Sequence, residues 1–320
     1  MAADRPHRHG PVRPRRRPAR AVHPRRSRPV RAPVSALLVI RAGPQALVTD
    51  RGRPGHAHLG VPPSGALDGP AYELGNRLVG NDDGAAGLEL LGGGLRVRAL
   101  GGRTVAVTGA PAPVSVDGSP AASHRALHLP DGAELTVGTP VGGLRCYLAV
   151  AGGLEVPLAL GSRSTDLLSG LGPGPVADGD ELPVGPWSGG IPVSGPVPVS
   201  LPGAVVGLRV RPGPRDDWFA DPRAALTGPL WTVTADGNRI GVRLDGPSPE
   251  RLPELRDREL PSEGMVTGAV QVPPHGPPVV FLADRPTTGG YPVIAVVARA
   301  DLPLLAQAPP GTGVRFTVLR

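Results

Sequence analysis

LRVRALGGRTVAVTGAPAPVSVDGSPAASHRALHLPDGAELTVGTPVGGLRCYLAV, residues 95–150, decides the fold. Its apolar runs are short: LRVRA (95–99), TVAVTG (104–109), VSVDG (114–118), ALHLP (126–130), ELTVG (134–138) and the start of CYLAVAGG (146–153). Each run is too brief for a helix and is bounded by turn-forming residues, so the stretch reads as consecutive β-strands. The Asp-Gly pairs at 117–118 and 131–132 are turn signals between them.

The pattern extends outward in both directions. Upstream, ALLVI (36–40) is a strand, and one helix interrupts the series: Asp68 caps it, Pro70 suits its first turn, Ala71, Leu74, Leu78 and Val79 form its apolar stripe, and Gly80-Asn81 ends it. The Gly-rich LLGGGLR (90–96) lacks the strand-to-helix context of a dinucleotide loop and reads as a turn or bulge. Downstream, GPWSGGIPVSGPVPVSLPG (185–203) is the densest Gly/Pro stretch of the body and reads as a linker. Strands resume at GLRVRPG (207–213), a hairpin turns at Asp236-Gly237, and VVFLAD (279–284), VIAVVAR (293–299) and VRFTVL (314–319) complete the second half. Asp301 is expected to cap the short helix DLPLLAQ. The expectation is a mainly β protein of two β-rich lobes with a few short helices: residues 35–186, a linker at 187–203, and residues 204–320.

At 320 residues the chain is long enough for about two domains. Its 47 glycines and 43 prolines would suggest low complexity, were 40% of the residues not hydrophobic and gathered in those strand-like runs. All 34 basic residues are arginine. A chain without lysine carries no Walker A lysine, no lysine Schiff base and no biotinyl-lysine. The net charge of +7 misleads, because residues 1–34 hold eleven arginines against one aspartate, while the remainder has 23 arginines against 26 acids. The basic character therefore belongs to the tail, and we expect no nucleic-acid function from it. Seven prolines among those arginines prevent an amphipathic helix. Residues 1–34 are expected to be a disordered Arg/Pro-rich tail, with a natural start near Val30 or Val34. The single cysteine, Cys146, fits a reducing compartment and a buried, inert thiol. With no apolar run of membrane-spanning length and no secretory signal, a cytoplasmic protein with no membrane role is expected.

Four loops combine glycine with polar side chains. In TDRGRPGHAHLGVPPSGALD (49–68) these are Asp50, Arg53, His56, His58, Ser64 and Asp68; in LGSRSTDLLSGLG (160–172), Ser162, Arg163, Ser164, Thr165 and Asp166; in LPSEGMVTGAVQVPPHG (260–276), Ser262, Glu263 and Gln271; in ADRPTTGGYP (283–292), Asp284, Arg285, Thr287 and Thr288, before the Gly289-Gly290 turn. Glycine lets ligand oxygens approach backbone N–H groups, arginine recognises carboxylate, carbamate or phosphate, and carboxylates move protons. Each loop also has a plain reading as a tight turn with satisfied ends. His56-x-His58 and His124-x3-His128 have metal-ligand spacing but no third ligand nearby in sequence, so no metal is expected.

In this order, GRPGHAHLGVPPSGALD, NRLVGND, YLAVAGGLEVPLALGSRST, SEGMVTGAVQVPP and ADRPTTGGYPVIAVVARADLPLLAQ resemble the allophanate hydrolase subunit 2, or carboxyltransferase subdomain A/B, family over about residues 36–320. The resemblance implies cyclophilin-like barrel lobes and a subunit-1 (B-type) partner. It also implies membership of an ATP-dependent 5-oxoprolinase complex, with an A-type subunit, that opens 5-oxo-L-proline to L-glutamate. ATP with Mg2+ would be needed, at a site that could be shared with the partner. Two alternatives stay open: the carboxyltransferase component of a biotin-dependent, urea-carboxylase-like enzyme, whose biotin sits on another chain, and a non-enzymatic antagonist of the subunit-1 partner. The resemblance carries Asp284, Glu263 and Asp68 as catalytic candidates. Asp50, Arg53, Ser64, Arg163, Ser164, Gln271, Thr287 and Thr288 follow as contacts to a small-molecule substrate, and on the oxoprolinase reading Arg163 or Arg285 is expected to hold its carboxylate and the N–H groups of the Gly289-Gly290 turn to steady an oxyanion. The chain departs from many relatives at Val293, where they are basic, and at His56, where they are aromatic.

Overall fold

The computed structural model describes residues 35–187, 189–192, 203–274 and 276–319. The tail at 1–34 and most of the expected linker, residue 188 and residues 193–202, lie outside the described residues.

The first lobe is built from β1 (Ala36–Arg41), β2 (Gln45–Thr49), α1 (Gly69–Leu78), β3 (Gly87–Leu91), β4 (Arg96–Leu100), β5 (Arg103–Gly109), β6 (Val114–Val116), β7 (Ser119–Ala121), β8 (Ala126–Leu129), β9 (Glu134–Val137), β10 (Arg145–Val150) and β11 (Glu181–Pro183). They form two sheets, ordered β11-β1-β4-β9-β6-β7 and β2-β3-β10-β5-β8. Val105, Val107, Leu148 and Val150 join Leu37, Val97 and Leu135 in one core. Ala106 and Ala149, on alternate positions of β5 and β10, instead pack with Leu78 of α1 and with Val79 just after it. Both faces of these strands are covered, which is why they read as unbroken apolar runs. The helix lies close because Gly75 faces Ala149 and Thr108; a Cβ there would come within 3.2 Å of each.

The expected helix is present. The Asp68 carboxylate accepts from the Ala71 N–H at 3.1 Å, and Gly80 follows the end of α1 with φ +72°. Asp117 and Gly118, both at positive φ (48° and 78°), pair Val116 with Ser119 in a two-residue hairpin. Asp131-Gly132 does something different, carrying the chain from β8 in one sheet to β9 in the other.

In the second lobe, β12 (Val205–Pro212), β13 (Trp231–Val233), β14 (Gly241–Asp245), β16 (Ala269–Gln271), β17 (Val279–Phe281), β19 (Val293–Val297) and β20 (Gly313–Val318) close a seven-stranded barrel in the order β12-β19-β16-β17-β14-β13-β20. Closure is a parallel ladder from Val205↔Gly313 to Val210↔Val318. A two-stranded ribbon of β15 (Glu263–Gly264) and β18 (Thr288–Gly289) stands beside it. The helix α2 (Pro222–Thr227) is too short to show a periodicity in sequence; it is capped by Asp221 and accepts the Trp231 indole N–H at the Leu226 carbonyl, 3.0 Å. The helix α3 (Leu302–Ala306) forms where expected, but Asp301 does not cap it. Its carboxylate takes two guanidinium nitrogens and the backbone N–H of Arg209 instead. Val293, 7% exposed, packs with Met265, Ala269 and Phe281, so the barrel uses this position for packing.

Candidate functional site

A chain of buried charges joins the lobes. Glu89 interrupts the apolar strand β3, and Arg145 and Tyr147 lie opposite on β10. Tyr147 donates its hydroxyl to Glu89 Oε2 at 2.8 Å and receives the Asp68 N–H at 2.8 Å. From the second lobe, Arg239 donates Nη1 to Glu89 Oε1 (2.6 Å), Nε to Asp284 Oδ2 (2.8 Å), and Nη2 to Asp284 Oδ1 (2.9 Å) and to the Gly65 carbonyl (2.6 Å). Gln307 completes the seam, donating to Asp68 Oδ2 and to the Arg145 carbonyl while its own carbonyl accepts the N–H groups of Leu144 and Arg145. Burial opposes ionisation of Glu89, but the guanidinium groups of Arg239 and Arg145 outweigh it and hold its carboxyl below the ordinary range. Burial pushes Asp284 and Asp68 up. Arg239 remains charged despite burial because Glu89 and Asp284 face it from two sides.

Of the sequence candidates, Asp284 and Asp68 fall in this seam. Asp284 is fully buried, and each carboxylate is occupied by the partners named above. Both act as ties between lobes, sealed from solvent. Three of the four loops meet here: the Ser64 N–H reaches the Ala283 carbonyl (3.2 Å), the Leu167 N–H approaches Asp284 Oδ2 (3.5 Å), and Arg53 holds the Ala159 and Ser164 carbonyls. Asp50 binds the loops together further, accepting from the hydroxyls of Ser162 and Ser164 at 2.6 Å each and from the N–H groups of Gly52 (2.7 Å) and Arg163 (2.6 Å). Arg163 donates to the Val156 carbonyl and pairs with Glu155. Ser64 holds a left-handed backbone (φ 52°), and its buried hydroxyl has no partner among the described residues.

The third loop belongs to a second place, where it meets the other half of the fourth. Glu263 pairs with Gly289 across the ribbon and is held by Arg215, Nε to Oε1 at 2.9 Å; its side chain is 30% exposed. Thr288 pairs with Gly264, and the Thr287 carbonyl accepts the Met265 N–H. Gln271 lies beneath the turn, donating Nε2 to the Tyr291 carbonyl at 3.0 Å. A Cβ on Gly289 would come within 2.7 Å of that nitrogen, so the turn needs glycine for its close approach. Arg285 is 8% exposed, contacts only Thr267 Oγ1 and the Pro286 carbonyl, and has no carboxylate partner among the described residues. Beyond Gly290 opens a cleft of about 840 Å³ walled by Trp218, Arg251, Leu260, Tyr291 and Pro292, with charged residues 256–259 on its rim.

Glu89, Arg145, Arg239 and Gln307 were missed in sequence. A charge inside an apolar strand, as in GLELL and LRCYLAV, is a signal for the first two; Arg239 in a polar turn carries none. Cys146 is buried as expected, its thiol pushed up to about 12 by desolvation.

Residues 59–318 match the family described as "Carboxyltransferase domain, subdomain A and B". The chain is 40% identical over 285 residues to the C-type subunit of the Escherichia coli (strain K12) 5-oxoprolinase, covering 88% of this chain and 90% of that one. It is 32% identical to the C-type 5-oxoprolinase subunit of Haemophilus influenzae, covering 85% and 87%. Urea amidolyase of Saccharomyces cerevisiae is 30% identical over 84% of this chain but only 16% of its own length. Among solved structures, TTHA0988 superimposes with a TM-score of 0.81 at 38% identity, the match covering 90% of this chain and 56% of that one. Kluyveromyces lactis urea carboxylase superimposes with a TM-score of 0.84 at 29% identity, over 90% and 28%.

Proposed function

Because the chain belongs to the carboxyltransferase domain family, subdomains A and B, we propose that it is the C-type subunit of an ATP-dependent 5-oxoprolinase, opening 5-oxo-L-proline to L-glutamate together with subunit-1 (B-type) and A-type partners. One observation carries this reading: the 40% identity runs through nine-tenths of a free-standing 5-oxoprolinase subunit, whereas the urea amidolyase match is a small part of a much longer chain. The chain also has no lysine to carry biotin. The close superposition on urea carboxylase supports a second reading, a carboxyltransferase half-site served by biotin on another protein.

Ring opening needs water added to a lactam carbonyl, with an oxyanion steadied and a proton moved. The Gly289-Gly290 turn, held by Gln271, is the proposed oxyanion site, and Glu263 is the proposed proton-transfer group, because of the three candidate carboxylates it alone is partly exposed. Asp284 and Asp68 keep the lobes in register. Among the described residues no cluster of His, Cys, Asp and Glu is placed to hold a metal ion, and α1 opens on the Asp68 carboxylate, which repels phosphate. ATP and its Mg2+ are proposed to be held at a site shared with the partner subunits. The proposal is tested by copurifying the chain with its coexpressed partners and supplying 5-oxo-L-proline or urea in separate ATP-containing arms. Glutamate in the first arm is expected; carboxylated urea in the second, with an avidin-reactive partner, would replace this reading with the carboxyltransferase one.

A further inference from the structure

At the lobe junction Glu89, Asp68, Asp284 and Arg239 are held by one another and by Gln307, so a group to meet the substrate's carboxylate is sought elsewhere. The cleft beside the Gly289-Gly290 turn holds such a group. Arg251 is 7% exposed, so its guanidinium has been largely removed from water. Its Nη2 donates to the Val272 carbonyl at 3.1 Å, and its carbon lies 5.7 Å from the centre of the Trp218 ring. Its Nε is buried with no acceptor, and no carboxylate pairs with it among the described residues. The nearby acids do not compensate it: Glu250 pairs with Arg256 out on the rim, where the two side chains are 78% and 60% exposed. Desolvation disfavours the charge on Arg251, and the Trp218 face offsets only part of that cost.

The backbone around it also has donors to spare. Gly290 and Tyr291 line the same cleft, and neither N–H finds an acceptor among the described residues. A largely desolvated cation without a carboxylate partner, lining the same cleft as two successive residues with unpaired N–H groups, is complementary to an anion flanked by a polar carbonyl. Trp218, Leu260 and Pro292 supply apolar wall for a small ring between the two ends.

We propose that Arg251 is the receptor for the α-carboxylate of 5-oxo-L-proline, holding the ring in the Trp218–Tyr291 cleft with its lactam carbonyl at the Gly290 and Tyr291 N–H groups. This rests on the oxoprolinase reading and deepens it by assigning the carboxylate site to a residue outside the four loops. Arg285 does not line this cleft; it donates instead to Thr267 Oγ1 and to the Pro286 carbonyl.

The test uses the assembled wild-type complex and its Arg251→Met and Arg251→Lys variants. With 5-oxo-L-proline as varied substrate, Arg251→Met is expected to raise KM about 10- to 100-fold, the range for loss of a charge-assisted pair, with kcat within a few-fold of wild type. Arg251→Lys, which keeps charge but loses the fork, is expected to fall between. Hydrogen exchange on the wild-type complex guards against a folding defect. Saturating 5-oxo-L-proline is expected to protect residues 249–260 and 290–291, and 2-pyrrolidinone, which lacks the carboxylate, to leave them unchanged. Glutamate production with an unchanged KM in Arg251→Met, or protection confined to residues 50–53 and 162–166, overturns this assignment and leaves the oxoprolinase reading standing. A wild-type complex that makes no glutamate overturns both.

Discussion

Replacing Arg239 by methionine, similar in length and apolar, removes four hydrogen bonds at once: one to Glu89, two to Asp284 and one to the Gly65 carbonyl. Glu89 and Asp284 are 2% and 0% exposed, so neither carboxylate can recover those bonds from water. Arg145 remains 3.5 Å from Glu89 and compensates it in part; Asp284 keeps only the long contact from the Leu167 N–H. Breaking a buried pair from one side costs about 3–5 kcal/mol. At about 2 °C per kcal/mol for a chain of this size, Tm should fall by ~6–10 °C. Without the guanidinium, the stranded carboxyls have folded-state pKa values raised by burial. A raised carboxyl pKa contributes stability that is complete below the unfolded value and is lost as pH rises through the folded one. The deficit of Arg239→Met should therefore shrink as pH is lowered toward about 4. Adding Glu89→Gln and Asp284→Asn should restore much of the loss at neutral pH, because the uncompensated charges are gone. Scanning calorimetry of the single and triple variants at several pH values decides it. A single variant melting within about 1 °C of wild type, or a triple variant no better than the single, refutes the seam as an electrostatic tie between the lobes.

Glu89 titrates lower when folded, so its contribution to stability fades as pH drops below the ordinary glutamate value of 4.5, while Asp284 and Asp68, pushed up by burial, contribute in the opposite sense; Glu89→Gln should therefore lose less stability on acidification than wild type in denaturant titrations. Asp50→Ala strands the Ser162 and Ser164 hydroxyls and two N–H groups, and should cost about 2–4 kcal/mol, with faster amide exchange at Gly52 and Arg163. Gly75→Leu drives a side chain into Ala149 and Thr108 and should cost about 1–3 kcal/mol by equilibrium unfolding. Glu263→Gln in the assembled complex should lower kcat about 100-fold or more while leaving copurification intact; unchanged turnover removes Glu263 from proton transfer.

The strands were legible wherever both faces or one clean face are buried, because period and composition then follow directly from packing. TVAVTG reads plainly since one side of β5 faces the core and the other faces α1. Two-residue strands such as Glu263–Gly264 leave no periodic trace, and α2 is a single turn and a half held by the Trp231 indole rather than by its own pattern. Asp301 shows how a local signal loses to a distant partner: its position fits a helix cap, but Arg209 offers a bidentate pair across 92 residues. The candidate loops were visible because glycine marks close backbone approach. Their division into a sealed junction and an open cleft was not, since exposure is set by folding. Arg251 shows the same limit, because what marks it is its place on the wall of an open cleft with no carboxylate partner among the described residues, which only folding sets.

The central claim is that this chain is an obligatory part of a 5-oxoprolinase. It is tested most directly by reconstituting the purified subunits with one omitted at a time and measuring L-glutamate and ADP formed from 5-oxo-L-proline and ATP. The account predicts coupled formation of both products with all subunits present and no glutamate when this chain is left out. Undiminished glutamate formation in its absence would contradict it.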